Sequence, residues 1–394
     1  MKSILFIHQS AELYGSDKTI LMFISQMDKA KYFPVVILPF DGPLKTEFEK
    51  NGVKVVIAPV LKLYRKMFTP GNLVKFTGEY RKGIEVLDAL HREHNFSLVY
   101  SHTLAALIGF IWASKRNIRH LWHVQEIIAR PKLFNRAFKY ILSRKSNDKI
   151  IYDSRETMNF WADGEPQIAK KSGFIWNGLD PEGKENHTPE EIASVRKEFF
   201  NADTETVIGL VGRINSWKGQ QLLLRAFAKI AGEYPDARLV YLGSAPPNQE
   251  FFVDELKSNI QKFDLSQKVT IIPFRQDIWK FWDSLDIAVV PSTEPEPFGM
   301  VAIEAMLAGK PVVAANHGGL TEIVLNGETG FLFDPGNDEA LASALKKLLD
   351  DPVLRTRFGA LGKERASTVF SLQNHVDQFE AVFEEITSGR TMGI

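Results

Sequence analysis

The chain has no cysteine in its 394 residues, so neither a disulfide nor a thiolate-bound metal can brace it, and a reducing compartment such as the cytoplasm is its expected home. No apolar run reaches the roughly 20 residues that cross a bilayer. The apolar opening from Met1 to His8 meets polar residues at once and reads as a first strand rather than a leader. Gly-x-Gly-x-x-Gly is missing, which removes the fingerprint of a redox dinucleotide, and so is any Asp-x-Asp pair that could hold a divalent cation. Glu294-Pro295-Glu296 is the nearest substitute, but its prolines and oxygen-poor surroundings do not suit a metal, so no metal or other cofactor is expected. Internal repeats and low-complexity tracts are absent. Net charge is absent too, with 48 Lys+Arg against 48 Asp+Glu. That balance conceals a split: residues 1–180 carry 27 basic against 17 acidic side chains, and the remainder 21 against 31. The first half therefore suits an anionic partner, a membrane surface or a nucleic acid.

What is present is a rhythm of apolar strand-like runs alternating with amphipathic helical windows. Ile4–His8, Val35–Phe40, Val53–Ala58, Ser97–Ser101, His120–Val124 and Lys149–Tyr152 form one series. Val207–Gly212, Arg238–Leu242, Val269–Ile272, Asp286–Val290, Val312–Ala314 and Gly330–Phe333 form a second. Such alternation predicts α/β architecture with parallel sheets covered on both faces, in two Rossmann-like halves. The breaker-rich segment Asn177–Asn186 reads as the linker, giving one domain over 1–180 and another over 190–369. Residues 370–394 contain a last amphipathic helix bearing Phe379, Val382 and Phe383.

The richest stretch is Pro291-Ser292-Thr293-Glu294-Pro295-Glu296-Pro297-Phe298-Gly299-Met300, leading to Glu304. Prolines keep Glu294 and Glu296 extended, and Pro297 can open a helix from about Phe298. The amides near Gly299 and Met300 would then receive an anion, with carboxylates on either side for hydroxyl-rich groups, which together describe a sugar nucleotide. Upstream, Gly212-Arg213-Ile214-Asn215-Ser216-Trp217-Lys218-Gly219 follows a strand and places two cations, Lys218 at the start of the next helix, where a diphosphate would sit.

Glu296-Pro297-Phe298-Gly299 with Glu304 resembles the E-x7-E signature of GT4 retaining glycosyltransferases, and Gly212-Arg213 through Lys218-Gly219 resembles that family's G-R-x5-K-G pattern. The resemblance implies a GT-B fold, in which two Rossmann-like domains face each other across a cleft and the C-terminal helix crosses back to the first domain. It implies that Glu296 contacts hydroxyls of the donor sugar, that Glu304 holds the ribose, and that Arg213, Lys218, Phe298, Gly299 and Met300 bind the rest of the donor. Phe274 and Arg275 stand where the base would lie, with UDP or GDP as the carrier. Asn316 to Phe331 looks like the family's Gly-Gly-x-x-Glu and Asn-Gly-x-x-Gly elements, whose Gly327 and Gly330 are assigned to structure.

In the first domain the resemblance implies a donor-binding role for Gly15, in the segment that corresponds to the family's glycine-rich loop, although family members often carry two adjacent glycines there. Trp122-His123-Val124-Gln125-Glu126 resembles the motif whose imidazole lies beside the donor sugar. Glu126 either lines the acceptor side or orients its loop, and His102 is a further acceptor-side candidate. What the resemblance implies is a retaining, metal-independent transfer of a hexose from a nucleoside-diphosphate sugar to a hydroxyl of a glycan or lipid-linked saccharide, as in polysaccharide biosynthesis. A phosphorylase, a sugar-nucleotide epimerase and a non-catalytic nucleotide-sugar binder are the alternatives. Two basic tracts interleaved with apolar residues, Leu61–Phe68 continued by Lys75, Phe76, Arg81 and Lys82, and Arg130–Lys145, suit a peripheral site on the inner membrane face; nothing resembles a nucleic-acid reading motif.

Overall fold

The computed structural model describes residues 1–62, 70–181, 187–275 and 277–389, the side chains of 70–75 excepted. Leu63–Phe68, the bulk of the first basic tract, and Glu182–Asn186 of the expected linker lie outside the described residues. The chain divides into two compact units, Met1–Gly178 together with the segment from Leu372, and Leu179–Ser371.

In the first unit seven strands form one parallel sheet: β1 (Lys2–Ile7), β2 (Tyr32–Leu38), β3 (Lys54–Ile57), β4 (Leu98–His102), β5 (Arg119–Val124), β6 (Lys149–Tyr152) and β7 (Ser172–Phe174). Their spatial order is β3-β2-β1-β4-β5-β6-β7. Helices pack both faces, which explains why Ile4, Leu5, Phe6 and Ile7 are buried in succession instead of alternating. The six expected strands are present within a few residues. β7 escaped the sequence reading because a three-residue strand centred on Gly173 offers almost no apolar pattern.

The helix Leu372–Ser388 is part of this unit's core, with Phe379, Val382 and Phe383 buried beside Phe6, Phe23 and Tyr100. Its start differs from expectation. A separate helix, Pro352–Val369, precedes it and stops at Phe370, so the last helix begins at Leu372. On its outer side Tyr32 donates from its hydroxyl to Glu384 at 2.8 Å, and Lys149 pairs with Glu385 at 3.3 Å.

Among the described residues the second unit holds six parallel strands: β8 (Thr206–Val211), β9 (Ala237–Leu242), β10 (Val269–Ile272), β11 (Ile287–Val290), β12 (Val312–Ala315) and β13 (Gly330–Phe333). Their order, β10-β9-β8-β11-β12-β13, reverses direction between β8 and β11. A reversal of this kind leaves a crevice outside the carboxyl ends of the two strands, where α/β folds hold ligands. Gly330 begins β13 so tightly against β12 that a Cβ there would lie 1.9 Å from the Val312 carbonyl oxygen, a packing role for that glycine.

Two buried imidazoles make the first unit sensitive to acid. His120 is wedged between Ser101 and Asn147 at 2.9 Å each, and the Nδ1 of His375 donates to the Trp176 carbonyl at 2.8 Å. Burial pushes them down to about 3 and about 4, against an ordinary 6.5. Because the unfolded chain takes up these protons first, their contribution is complete above pH 6.5 and is lost as pH falls toward 4 for His375 and toward 3 for His120. For His375 alone the window amounts to roughly 3 kcal/mol. Denaturant midpoints measured across that range should fall with pH, and His375→Gln should flatten the dependence; an unchanged slope in the variant would contradict the assignment.

Candidate active site

The loops that leave β8 and β11 are stitched to one another. Gly219, at φ +82°, caps the helix Gln220–Ile230, and a Cβ on it would stand 2.0 Å from the Pro291 carbonyl oxygen. Only glycine fits a left-handed position pressed against backbone. Thr293 N donates to Trp217 O at 2.7 Å, while Asn215 Oδ1 accepts from Trp217 N at 3.2 Å and Lys218 N at 2.9 Å. Lys218 therefore belongs to this turn and does not start the helix, which opens two residues later. Gln220 Nε2 donates to the Arg213 carbonyl at 2.8 Å, tying down the other end of the loop. Arg213 is exposed at the strand end.

Across from this turn, Lys218 Nζ lies 2.7 Å from Glu296 Oε1, and its ammonium also sits 4.4 Å from the centre of the Trp217 ring. Glu296 is only 5% exposed, whereas Glu294, two residues earlier, is exposed. Ser292 Oγ donates to the same Oε1. Backbone holds the carboxylate's own segment in place, since Gly319 N donates to Glu296 O at 2.8 Å, and His317 Nε2 lies 2.8 Å from Ser292 O as its donor. Burial lowers the His317 pKa, which keeps that imidazole neutral.

The helix after Glu296 opens later than the sequence suggested. It spans Met300–Leu307 with Gly299 as its cap at φ +122°, so Pro297 is not its first residue. A side chain at residue 299 would strike Leu320, 2.6 Å from where the Cβ would stand. No side chain caps this end; Ala302 N donates back to Gly299 O at 2.9 Å, and the preceding first-turn amides of Met300 and Val301 suit an anion. Phe298 turns its ring into the core against Phe370, with centroids 5.9 Å apart. Glu304 lies in the second turn, half-buried, with Trp282 Nε1 at 3.2 Å from its Oε2. Phe274 is exposed and bonded through its backbone to Ser244 Oγ at 2.9 Å, while Arg275 stacks over Phe199 and Phe281 and pairs with Asp277.

Three of the first-unit candidates, His102, His123 and Glu126, lie at or just past the carboxyl ends of β4 and β5. His123 is buried, with Nδ1 at 2.5 Å from the Tyr100 hydroxyl and an Nε2 that has no partner. His102 is equally buried and contacts His8, Nδ1 to Nδ1, at 2.8 Å, and His8 in turn meets Asp17 at 2.6 Å. Burial opposes ionisation of Asp17, yet His8, Tyr14 N–H and Ser10 hold its carboxyl below the usual range. Glu126 accepts from Leu104 N at 3.0 Å and Gln125 N at 3.1 Å, and burial pushes its carboxyl up to about 7 despite these donors. Its carboxylate thus orients the turn after β4. Gly15 is the first residue of the helix Gly15–Gln26, away from the left-handed region and with open space where a Cβ would be.

Ser292, His317, Asn215 and Trp282 carry site contacts that sequence reasoning left unassigned. Ser292 and His317 lay inside the quoted motifs, but only the fold reveals which side of each strand end they occupy. Among the described residues no group of three or more His, Asp or Glu is arranged to hold a metal ion.

Comparison with known proteins accords with this geometry. Anabaena HepE, solved in complex with UDP-glucose, superposes with a TM-score of 0.84 over 98% of this chain and 100% of its own, at 26% identity. The D-inositol 3-phosphate glycosyltransferase of Kineococcus radiotolerans is 30% identical over 346 residues, 80% of this chain and 77% of the relative. CapM of Staphylococcus aureus, a capsular polysaccharide biosynthesis glycosyltransferase, is 33% identical over 45% of each chain. The family model for glycosyl transferases group 1 matches residues 191–365. With two parallel-sheet α/β units of the GT-B type and a relative matched over most of its length, this chain belongs to the group 1 glycosyltransferases, of the GT4 type.

Proposed function

We propose that this glycosyltransferase is retaining and metal-independent, taking a hexose from a nucleoside diphosphate, UDP or GDP, to a hydroxyl of a glycan or lipid-linked saccharide. The observation that carries the donor half is the junction of the β8 and β11 loops, where Lys218 bonds the Glu296 carboxylate three residues before the Gly299 helix cap, with Arg213 exposed at the end of β8. In the proposed reaction the bond from the anomeric carbon to the diphosphate oxygen breaks, and a bond to the acceptor oxygen forms on the same face. The acceptor's proton passes to the departing phosphate, so no protein nucleophile is required. The charge growing on the diphosphate meets Arg213, Lys218 and the uncapped amides, preorganised donors of the kind that dominate catalysis at leaving groups. Glu304 holds the ribose. UDP-glucose in HepE supports a uridine nucleotide as the first donor to try.

A screen of nucleotide sugars by thermal stabilisation and hydrolysis tests the donor directly. With the donor found, Arg213→Ala and Lys218→Ala should each weaken binding of its diphosphate by about 1.5–3 kcal/mol, the scale of a charge-assisted hydrogen bond. Calorimetry checks this, and parental affinity in both variants would move the site elsewhere.

The chelator test follows from the same side-chain cations. Turnover should persist in excess chelator, and loss restored by Mg²⁺ or Mn²⁺ would overturn the mechanism.

For the acceptor, the helix Lys132–Ser143 supports docking of the first unit on an anionic membrane. It buries Phe138 and Leu142 inward but leaves Leu133 and Tyr140 exposed, 74% and 64%, among Arg130, Lys132, Arg136, Arg144 and Lys145. Each cation near an anionic surface contributes roughly 1 kcal/mol. No described helix is long and apolar enough to cross a membrane, so such binding would be peripheral. Co-sedimentation with anionic vesicles should fall with salt and with Arg136→Glu, Arg144→Glu and Lys145→Glu combined. Equal recovery with neutral and anionic vesicles would point to a soluble acceptor.

A further inference from the structure

We propose that the Lys218–Glu296 ion pair is an exchange switch by which the site favours an intact nucleoside-diphosphate sugar over the bare nucleoside diphosphate, with Ser292 as the residue that positions the carboxylate. The proposal rests on the donor reading above. Its basis is a shared oxygen: Oε1 of Glu296 receives both the Lys218 ammonium, at 2.7 Å, and the Ser292 hydroxyl. The carboxylate side chain is 7% exposed and the lysine side chain 19%. The carboxylate is thus shut away from water while the lysine keeps a route outward.

A diphosphate seated on the Gly299-capped helix end competes for that same lysine, because Lys218 bonds a carboxylate only three residues before the helix cap. Once Lys218 turns to phosphate, the hydrogen bond that remains to the Glu296 carboxylate among the described residues is that of the Ser292 hydroxyl. A buried carboxylate stripped of its cation is strongly unfavourable, more so than the loss of the pair's own attraction. Sugar hydroxyls of the intact donor replace the ammonium by donating to the carboxylate, and bonds to an ionised acceptor are the strong kind. The exchange is complete only when phosphate and hydroxyls arrive on one molecule. A bare nucleoside diphosphate supplies the phosphate alone, so Glu296 draws Lys218 back and loosens it. The same contacts that admit the donor therefore discharge the product.

Two substitutions push the switch in opposite directions. Glu296→Gln leaves Lys218 without its competitor, whereas Ser292→Ala makes the carboxylate more dependent on Lys218. Titration calorimetry with UDP, UDP-glucose, GDP and GDP-mannose should therefore show the preferred nucleoside diphosphate binding about tenfold more tightly to Glu296→Gln, near 1.4 kcal/mol, and more weakly to Ser292→Ala. Glu296→Gln should also lose the parent's preference for the sugar-bearing form. General damage to the site would weaken binding in both variants, so opposite signs separate exchange from a merely structural role. The inference is overturned if the parent binds nucleoside diphosphate and the two variants shift it in the same direction or not at all. If the parent binds none of the four probes, the donor reading itself falls, and the switch with it.

Discussion

A carboxylate that is nearly closed off from water, at Glu296, is the constraint to which the second unit's site is built. An isolated buried charge is too costly to persist, so the chain must bring it a cation and a donor. Lys218 and Ser292 do so, and each is delivered by a different strand end. This explains the close stitching around them. The turn that carries Lys218 needs Asn215 to hold its amides, Gly219 to let it press on Pro291, and Thr293 to clamp Trp217. The parallel sheet makes the meeting possible, since the reversal between β8 and β11 puts the two loops side by side.

The first unit shows the opposite economy, with uncharged rings where charge would be intolerable. His102, His123 and His375 are buried among aromatic side chains, and burial holds all three well toward the neutral form. Hydrogen bonds then decide tautomers. His375 donates through Nδ1 to a carbonyl, which leaves its Nε2 as a bare acceptor, and the neighbouring His123 Nε2 is likewise without a partner. The last helix is thereby tied to this unit by polar as well as apolar contacts, at a position where Phe379 packs on both imidazoles, 5.0 and 4.9 Å between ring centres.

Strands were the legible part of this fold because buried parallel strands write themselves as short, continuous apolar runs. Val269–Ile272 and Gly330–Phe333 could be read to the residue, whereas Ser172–Phe174, short and polar at one end, could not. Helix starts were less legible. Proline at 297 fits a first helical turn on local grounds, but the chain instead runs on to Gly299, whose positive φ redirects it into the helix. Local preference gave way to the need to seat Glu296 against Gly319 and Lys218. The unit to which the last helix belongs followed from resemblance, since an apolar face on Phe379 and Phe383 does not say what it will cover.

Site chemistry was legible as residue types and illegible as pairings. Arg213, Lys218 and Glu296 stand out because they follow the carboxyl ends of buried strands, where α/β folds hold ligands, and Glu304 because of its spacing from Glu296. That Lys218 and Glu296 would bond to each other is a different kind of fact, since they are 78 residues apart and belong to separate motifs. Treated singly, the lysine reads as a candidate for phosphate and the glutamate as a candidate for sugar; the fold instead bonds them to each other through Oε1. The pairing of the two residues is thus a product of the β8–β11 reversal, which sets the two loops side by side.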